Sequence, residues 1–214
     1  AKEFGVQAEV FSCDVTSSKS VDAAIAGVLA AFGGRIEILI NVAGGTGPIG
    51  KTGLETTQKE FDDILRLNVL GPFNMIQAVA PVMKASGGGK IVNVGGTFGM
   101  RGRAMRLSYS SSKWGLRGMT KSFALELGSD NINVNLVAPG MVDGPRFREK
   151  VVPQVAEQHG ISLEEAAAKH AADYALGRVS KDEDVAAATL FLASDCARQI
   201  TGVDLPVDGG WAAL

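Results

Sequence analysis

Short apolar runs rich in β-branched residues alternate along this chain with longer stretches in which apolar positions recur every three or four residues. The short runs predict strands at residues 8–12, 36–41, 90–94, 133–137 and 204–207. The longer stretches predict helices at residues 18–32, 57–84, 107–127, 164–174 and 182–194. A parallel strand pair needs a crossover about a helix long, so this alternation predicts an α/β fold in three layers, a doubly wound parallel sheet covered on both faces. No repeat, low-complexity tract or Pro/Gly/Ser linker divides the sequence, and Gly87-Gly88-Gly89 only separates a helix from a strand. Residues 1–214 are therefore expected to form one domain.

Three of the strands run into small or polar residues: Asn41-Val42-Ala43-Gly44-Gly45, Gly95-Gly96-Thr97 and Pro139-Gly140. In an open parallel sheet the carboxyl ends of the strands border the crevice where ligands bind. Three such loops on one edge predict one shared site.

Composition narrows the partner. With 214 residues, 46% hydrophobic and 21% charged, the chain can bury a substantial core, and its net charge of −2 gives no blanket attraction to nucleic acid or to an anionic membrane. A small-molecule partner is expected. No apolar run approaches the roughly 18 residues that span a bilayer, and no basic stretch followed by an apolar core opens the chain, so the expected setting is the cytoplasm. Cys13 and Cys196 are far apart and His159 and His170 have no ligand-like spacing, so neither a disulfide framework nor a metal site is expected.

Tyr109 and Lys113 stand at i and i+4 near the start of the predicted helix 107–127, on one face. An unperturbed tyrosine ionises near pH ~10, and an adjacent ammonium favours its phenolate. At about 4 Å and an effective dielectric of about 20 that attraction is about 4 kcal/mol, or about 3 pKa units. The pair is thus expected to lower the phenol into a range useful for passing a proton to or from a carbonyl oxygen.

With Asn41-Val42-Ala43-Gly44 and Asn68-Val69 upstream, this spacing resembles the short-chain dehydrogenase/reductase family. The resemblance runs from Cys13-Asp14-Val15-Thr16 to Val207-Asp208-Gly209-Gly210. It implies a Rossmann-like fold and hydride transfer between the nicotinamide of NAD or NADP and the carbon of an alcohol or ketone. Tyr109 matches the residue that moves the proton, Lys113 the lysine that also bonds the nicotinamide ribose, and Asn68 the asparagine of the catalytic tetrad. The same resemblance places Asp14 and Val15 at the adenine, Asn41, Ala43 and Gly44 along the ribose and diphosphate, and Pro139, Gly140 and Val142 at the nicotinamide, with Gly144 where a threonine is frequent. Asn68 has a further reason of its own. Pro72, four residues on, has no N–H and crowds the Asn68 carbonyl, so a kink is expected that frees this carbonyl to hold a water.

Two departures stand out. The family's opening strand, its GxxxGxG turn and the helix that receives the diphosphate have no counterpart, and residues 1–5 resemble the end of a second helix. An N-terminally truncated domain is expected, lacking its first β-α-β portion, with free ladder edges and an uncovered apolar face. The residue that separates NAD from NADP falls in that portion. The second departure is Gly96, thirteen residues before Tyr109, where the family has a serine that bonds the substrate carbonyl. Losing such a donor costs about 3 kcal/mol of transition-state stabilisation. Thr97 is the nearest hydroxyl and the candidate to take over; the alternatives are a water, a backbone N–H, or impaired activity.

Arg101, Arg103 and Arg106 precede Tyr109, and Arg146 and Arg148 follow Pro139-Gly140, in segments that border the family's substrate pocket. They fit either an anionic substrate or a solvated or intersubunit face. Residues 147–176 resemble the variable lid, and the two long helices resemble those that join family members into homodimers and homotetramers. A non-catalytic binding or assembly module is the alternative, favoured by Gly96 and the absent phosphate loop and opposed by Tyr109, Lys113 and Asn68. An epimerase, dehydratase or enoyl reductase on the same scaffold fits the Tyr-x-x-x-Lys spacing and the short C-terminus less well than an alcohol or ketone oxidoreductase.

Overall fold

The computed structural model describes residues 4–213. Its elements are α1 (Ser18–Ala31), β1 (Ile38–Asn41), α2 (Gln58–Leu65), α3 (Gly71–Ala85), β2 (Gly89–Val94), α4 (Leu107–Leu127), β3 (Ile132–Pro139), α5 (Val152–His159), α6 (Leu163–Ala171), α7 (Asp182–Ala193) and β4 (Asp204–Val207). The four strands form one parallel sheet in the order β1-β2-β3-β4.

Alternation along the strands sends successive side chains to opposite faces and builds two cores. On one face Leu39, Ile91 and Val134 pack with α1, α3 and Ala124 of α4; on the other Val92 and Val137 pack with Leu192 and Ala193 of α7. This is the expected doubly wound, three-layer arrangement. β3, covered on both sides, is buried along nearly its whole length, as a strand of a parallel sheet should be. Its two asparagines are tolerated there because each is bonded: Asn135 donates to the Ile200 carbonyl and accepts from Val203 N–H, and Asn133 donates to the carbonyls of Arg198 and Ile200.

β1 has a strand partner on one side only, and its Ile38 and Ile40 are exposed on the face that α7 covers farther along the sheet. The strand expected at residues 8–12 does not form. Its apolar pattern is right, but a strand exists only through a ladder, and this segment lies exposed without one. The helix end expected at residues 1–5 falls largely outside the described residues. The helix expected at 57–84 is divided: α2 and α3 are joined by a π-helical turn, Arg66–Leu70. Residues 147–176 fold as a π turn (Phe147–Val151) followed by α5 and α6, which bury Phe147, Val152, Ala156 and Ala166 together. No helix among the described residues is long and apolar enough to cross a membrane.

His170 ends this layer, its ring 5.3 Å from that of Phe147 and 5.9 Å from that of Tyr174, with Nε2 buried and without a partner. Burial holds its pKa below the ordinary value near 6.5, with Asp173 opposing and Arg103 reinforcing the shift. The fold therefore favours the neutral ring. That preference contributes in full above the unfolded value and is lost as pH falls toward the lower folded one. Thermal melts between pH ~7.5 and ~5 should show the wild type losing more stability than His170→Phe; parallel losses would exclude this role.

Candidate active site

β1, β2 and β3 end side by side, and just past the last ladder pair Gly95 N–H donates to the Val137 carbonyl at 2.7 Å. The chain leaves these strands on residues whose neighbours leave no space for a side chain. A Cβ on Gly95 would lie 2.7 Å from Leu136, and one on Gly140 2.9 Å from Asp208.

Asn68, 1% exposed, ties the end of β1 to α4. Its Oδ1 accepts Gly45 N–H at 2.8 Å; its Nδ2 donates to the Gly45 carbonyl at 3.0 Å and to Ser112 Oγ at 2.9 Å. Ser112 Oγ in turn donates to the Tyr109 carbonyl at 2.7 Å. The π turn that carries Asn68 has the cause read from the sequence. Pro72 has no N–H to offer the Asn68 carbonyl in α-helical register, and the helix widens there, with Gly71 N–H donating to Arg66 O.

Tyr109 is in the first turn of α4, and Lys113 follows one turn later on the same face. A Cβ built on Gly96 would stand 3.0 Å from Tyr109 Oη and 3.9 Å from Lys113 Cε, so the phenol lies against the backbone of Gly96. Gly96 has extended backbone that any residue adopts (φ 163°). A side chain here would ask the Tyr109 hydroxyl to give by a few tenths of an ångström, and the backbone itself makes no demand for glycine. Lys113, 7% exposed, donates to the Val94 carbonyl at 3.2 Å and makes no ion pair with a described residue. Burial pushes its pKa down to about 8.

The expected lowering of the Tyr109 pKa by Lys113 is not what this geometry delivers. Burial raises the phenol's pKa, and the charges that pull it back are Arg106 first and Arg146 second. The ammonium, 5.6 Å from the ring centroid and bonded to Val94, is itself short of water, so desolvation dominates both groups. Arg106 is one of the arginines that the sequence put at the border of the substrate pocket without a contact to Tyr109. It is 8% exposed, its guanidinium carbon lies 4.9 Å from the Tyr109 ring centroid, and its Nη2 donates to the Thr46 carbonyl at 3.2 Å. Phe98 completes the cluster, 5.9 Å and nearly perpendicular to Tyr109 and 5.4 Å from Trp211.

The remaining expected residues lie around this edge. Thr97 opens a 3-10 turn (Thr97–Gly99) directly after Gly96, is 4% exposed, and its hydroxyl makes no hydrogen bond to a described residue. The Asn41 side chain is turned inward, donating to Asn93 Oδ1 at 2.8 Å, while Asn93 donates to Thr120 of α4. Its side chain is structural, and only its backbone faces the edge with the exposed Ala43 and Gly44. Asp14 Oδ1 is occupied by the N–H and hydroxyl of Thr16, and Val15 accepts from Asn74 Nδ2 while its methyl fills the space above Gly71. Pro139 ends β3, Gly140 N–H donates to the Val207 carbonyl, and Val142 pairs with Ser180. Tyr109, Lys113, Gly96 and Asn68 are thus brought together, with Thr97 next to Gly96 in the chain and Gly44 against Asn68, while Val15 packs at the start of α3 with Asp14 beside it in sequence. Ser112 also escaped the sequence reading, although its place one turn after Tyr109 in a run of serines is a usable signal.

A family model described as enoyl-(acyl carrier protein) reductase matches residues 1–212. A 3alpha-hydroxysteroid dehydrogenase of Mediterraneibacter gnavus is 42% identical over 178 residues, 82% of this chain and 65% of that protein. Among solved structures, a variant of actinorhodin polyketide ketoreductase with NADPH superposes with a TM-score of 0.90 at 32% identity, covering 100% of this chain and 81% of that one. NAD+-bound xylitol dehydrogenase gives a TM-score of 0.87 at 30% identity, covering 98% and 81%.

Proposed function

The chain belongs to the short-chain dehydrogenase/reductase family, and we propose that it interconverts a secondary alcohol and a ketone with NAD or NADP, Tyr109 serving as the general acid and base. The observation that carries this reading is the phenol of Tyr109 lying against Gly96 beside Lys113, which is buried without a counter-charge at the carboxyl edge of the sheet. A buried ammonium with one acceptor has donors to spare, and that fits the ribose hydroxyls of a nicotinamide cofactor. When bound, the cofactor supplies or takes the hydride.

The chain's own residues do the rest. In reduction Tyr109 Oη gives its proton to the carbonyl oxygen as the carbon gains hydride, leaving an alcohol and a phenolate. Lys113 favours that phenolate and holds the ribose. Asn68 positions the α4 N-terminus through Ser112, and its carbonyl, lacking an α-helical donor at Pro72, is suited to a water that resupplies the proton. Gly44, Ala43 and the Asn41 backbone would hold the ribose and diphosphate, Asp14 and Val15 the adenine, and Pro139, Gly140 and Val142 the nicotinamide. The exposed Leu107, Trp114 and Leu125 of α4 offer apolar surface for a homodimer or homotetramer.

The family model carries an enoyl reductase description, whereas the hydroxysteroid dehydrogenase and the ketoreductase are named for alcohol and ketone chemistry. The Tyr-x-x-x-Lys pair supports the latter. Thr97 takes the serine's part in bonding the carbonyl oxygen. NADH and NADPH oxidation with a panel of ketones tests the whole reading: turnover supports it, and cofactor binding without turnover would favour the non-catalytic module. Thr97→Val is expected to lower kcat/KM by about 100-fold at unchanged cofactor affinity. Unaltered turnover would leave Thr97 without this role.

A further inference from the structure

Arg106 is an arginine in an expensive position. It is 8% exposed, its Nε is buried without an acceptor, and its one hydrogen bond among the described residues is to the Thr46 carbonyl. No carboxylate of a described residue forms an ion pair with it, nor with Arg103 or Arg146. Asp143 pairs with Arg148 at 2.7 Å, and Asp208 accepts the N–H groups of Gly210 and Ala212; Asp173 acts on His170, as Arg103 does, but forms no ion pair with any of the three arginines. The chain also accepts strain to place this side chain. Met105, immediately before it, is left-handed at φ 60°, a conformation that costs a non-glycine residue about 1–2 kcal/mol.

Two cations meet over one ring, and the field of a third reaches them. Arg106 and Arg103 both lie over the Phe98 ring, at 5.9 and 5.7 Å, and Phe98 touches Tyr109 edge-on. Arg146 is close enough to press the Arg106 pKa down, second to burial, and to act on Tyr109 as well. Like charges gathered around a half-buried phenol repel one another unless an anion sits among them. Arg103 also lines a cleft of about 660 Å³ between the Arg101–Ala104 loop and Asp173, with Trp211 in its wall.

We propose that the substrate of this site carries a carboxylate, held by Arg106 and Arg146 with its carbonyl or carbinol presented to Tyr109. The guanidinium is planar and always charged, so it binds such a group by paired hydrogen bonds and fixes the distance from the carboxylate to the reacting carbon. This assignment rests on the alcohol/ketone reading above and adds the substrate class to it.

The test compares each oxo acid with its own methyl ester: pyruvate, acetoacetate and levulinate, which step the carboxylate away from the ketone. Loss of a charged hydrogen-bonded contact is worth about 30-fold, so at least one acid should exceed its ester by about that factor in kcat/KM. Arg106→Gln and Arg146→Gln should each bring the acid-to-ester ratio to within a few fold of unity, mainly through KM. The ratio cancels any general loss that Arg106→Gln causes through Tyr109, and the exposed Arg146 can be changed without disturbing the core. The carboxylate site also has a readout that needs no turnover: thermal stabilisation by the same acids but not by their esters, lost in Arg146→Gln. If neither acids nor esters oxidise the cofactor but the acids stabilise the protein, the redox reading fails and the carboxylate site stands. Equal ratios across all three pairs together with no selective stabilisation would overturn the site. So would a loss of NADPH affinity in both variants without acid selectivity, which would assign the arginines to the cofactor's phosphates.

Discussion

Tyr109→Phe is expected to lower kcat/KM for ketone reduction by about 1,000-fold or more while changing cofactor affinity by no more than a few fold. The substitution removes one oxygen and keeps the ring that packs edge-on against Phe98. The fold therefore has little reason to respond, and the loss reports chemistry. A developing alkoxide has no other acid to neutralise it: Gly96 has no side chain, the Thr97 hydroxyl is far too weak an acid to give up its proton, and Lys113 has one donor on the Val94 carbonyl with the rest assigned to the ribose. A factor of 1,000 corresponds to about 4 kcal/mol of transition-state stabilisation, well within the range for loss of a general acid that also bonds the substrate oxygen. Single-turnover NADPH oxidation separates binding from hydride transfer; a rate within tenfold of wild type would remove Tyr109 from the mechanism.

Asn68→Ala is expected to damage stability as well as activity. Three hydrogen bonds disappear, and the Gly45 N–H and carbonyl and the Ser112 hydroxyl lose a partner in a buried place. Unsatisfied buried groups cost about 1–3 kcal/mol each, partly recovered by relaxation, so a net loss of about 3 kcal/mol is expected. For a chain of this size that lowers Tm by about 6–12 °C. A melt of Asn68→Ala within about 2 °C of wild type would mean that the link from Gly45 through Ser112 to Tyr109 holds little.

Much of this was legible in the sequence because it is local. The period of apolar residues located β2, β3, β4, α1, α4 and α7, and the i, i+4 spacing put Tyr109 and Lys113 on one face. Pro72 announced the π turn at Asn68, since a missing N–H is a property of the residue itself. What was not legible depends on partners distant in the chain. Residues 8–12 have a strand's composition, but pairing is decided by a neighbour that the segment does not meet. Arg106 reads in the sequence as fitting either an anionic substrate or a solvated or intersubunit face, and only Phe98, Thr46 and Tyr109 closing around it make it buried. The direction of the Tyr109 shift was missed for the same reason: spacing gives the neighbour, but desolvation and the pull of Val94 on Lys113 follow from packing. Asn41 was placed at the edge correctly, yet its side chain serves the sheet through Asn93 and Thr120.

The paired roles of Tyr109 and Lys113 are tested most directly by the pH dependence of kcat/KM for ketone reduction in wild type and in Lys113→Arg. Burial holds Lys113 near 8 and Tyr109 above its ordinary value, so Lys113 loses its proton first as pH rises. Wild-type activity should fall above about pH 8. The residual activity of Lys113→Arg, whose charge persists, should lack that break. A wild-type profile flat to roughly pH 10, the ordinary range of a tyrosine, or the same break in both proteins, would contradict the account.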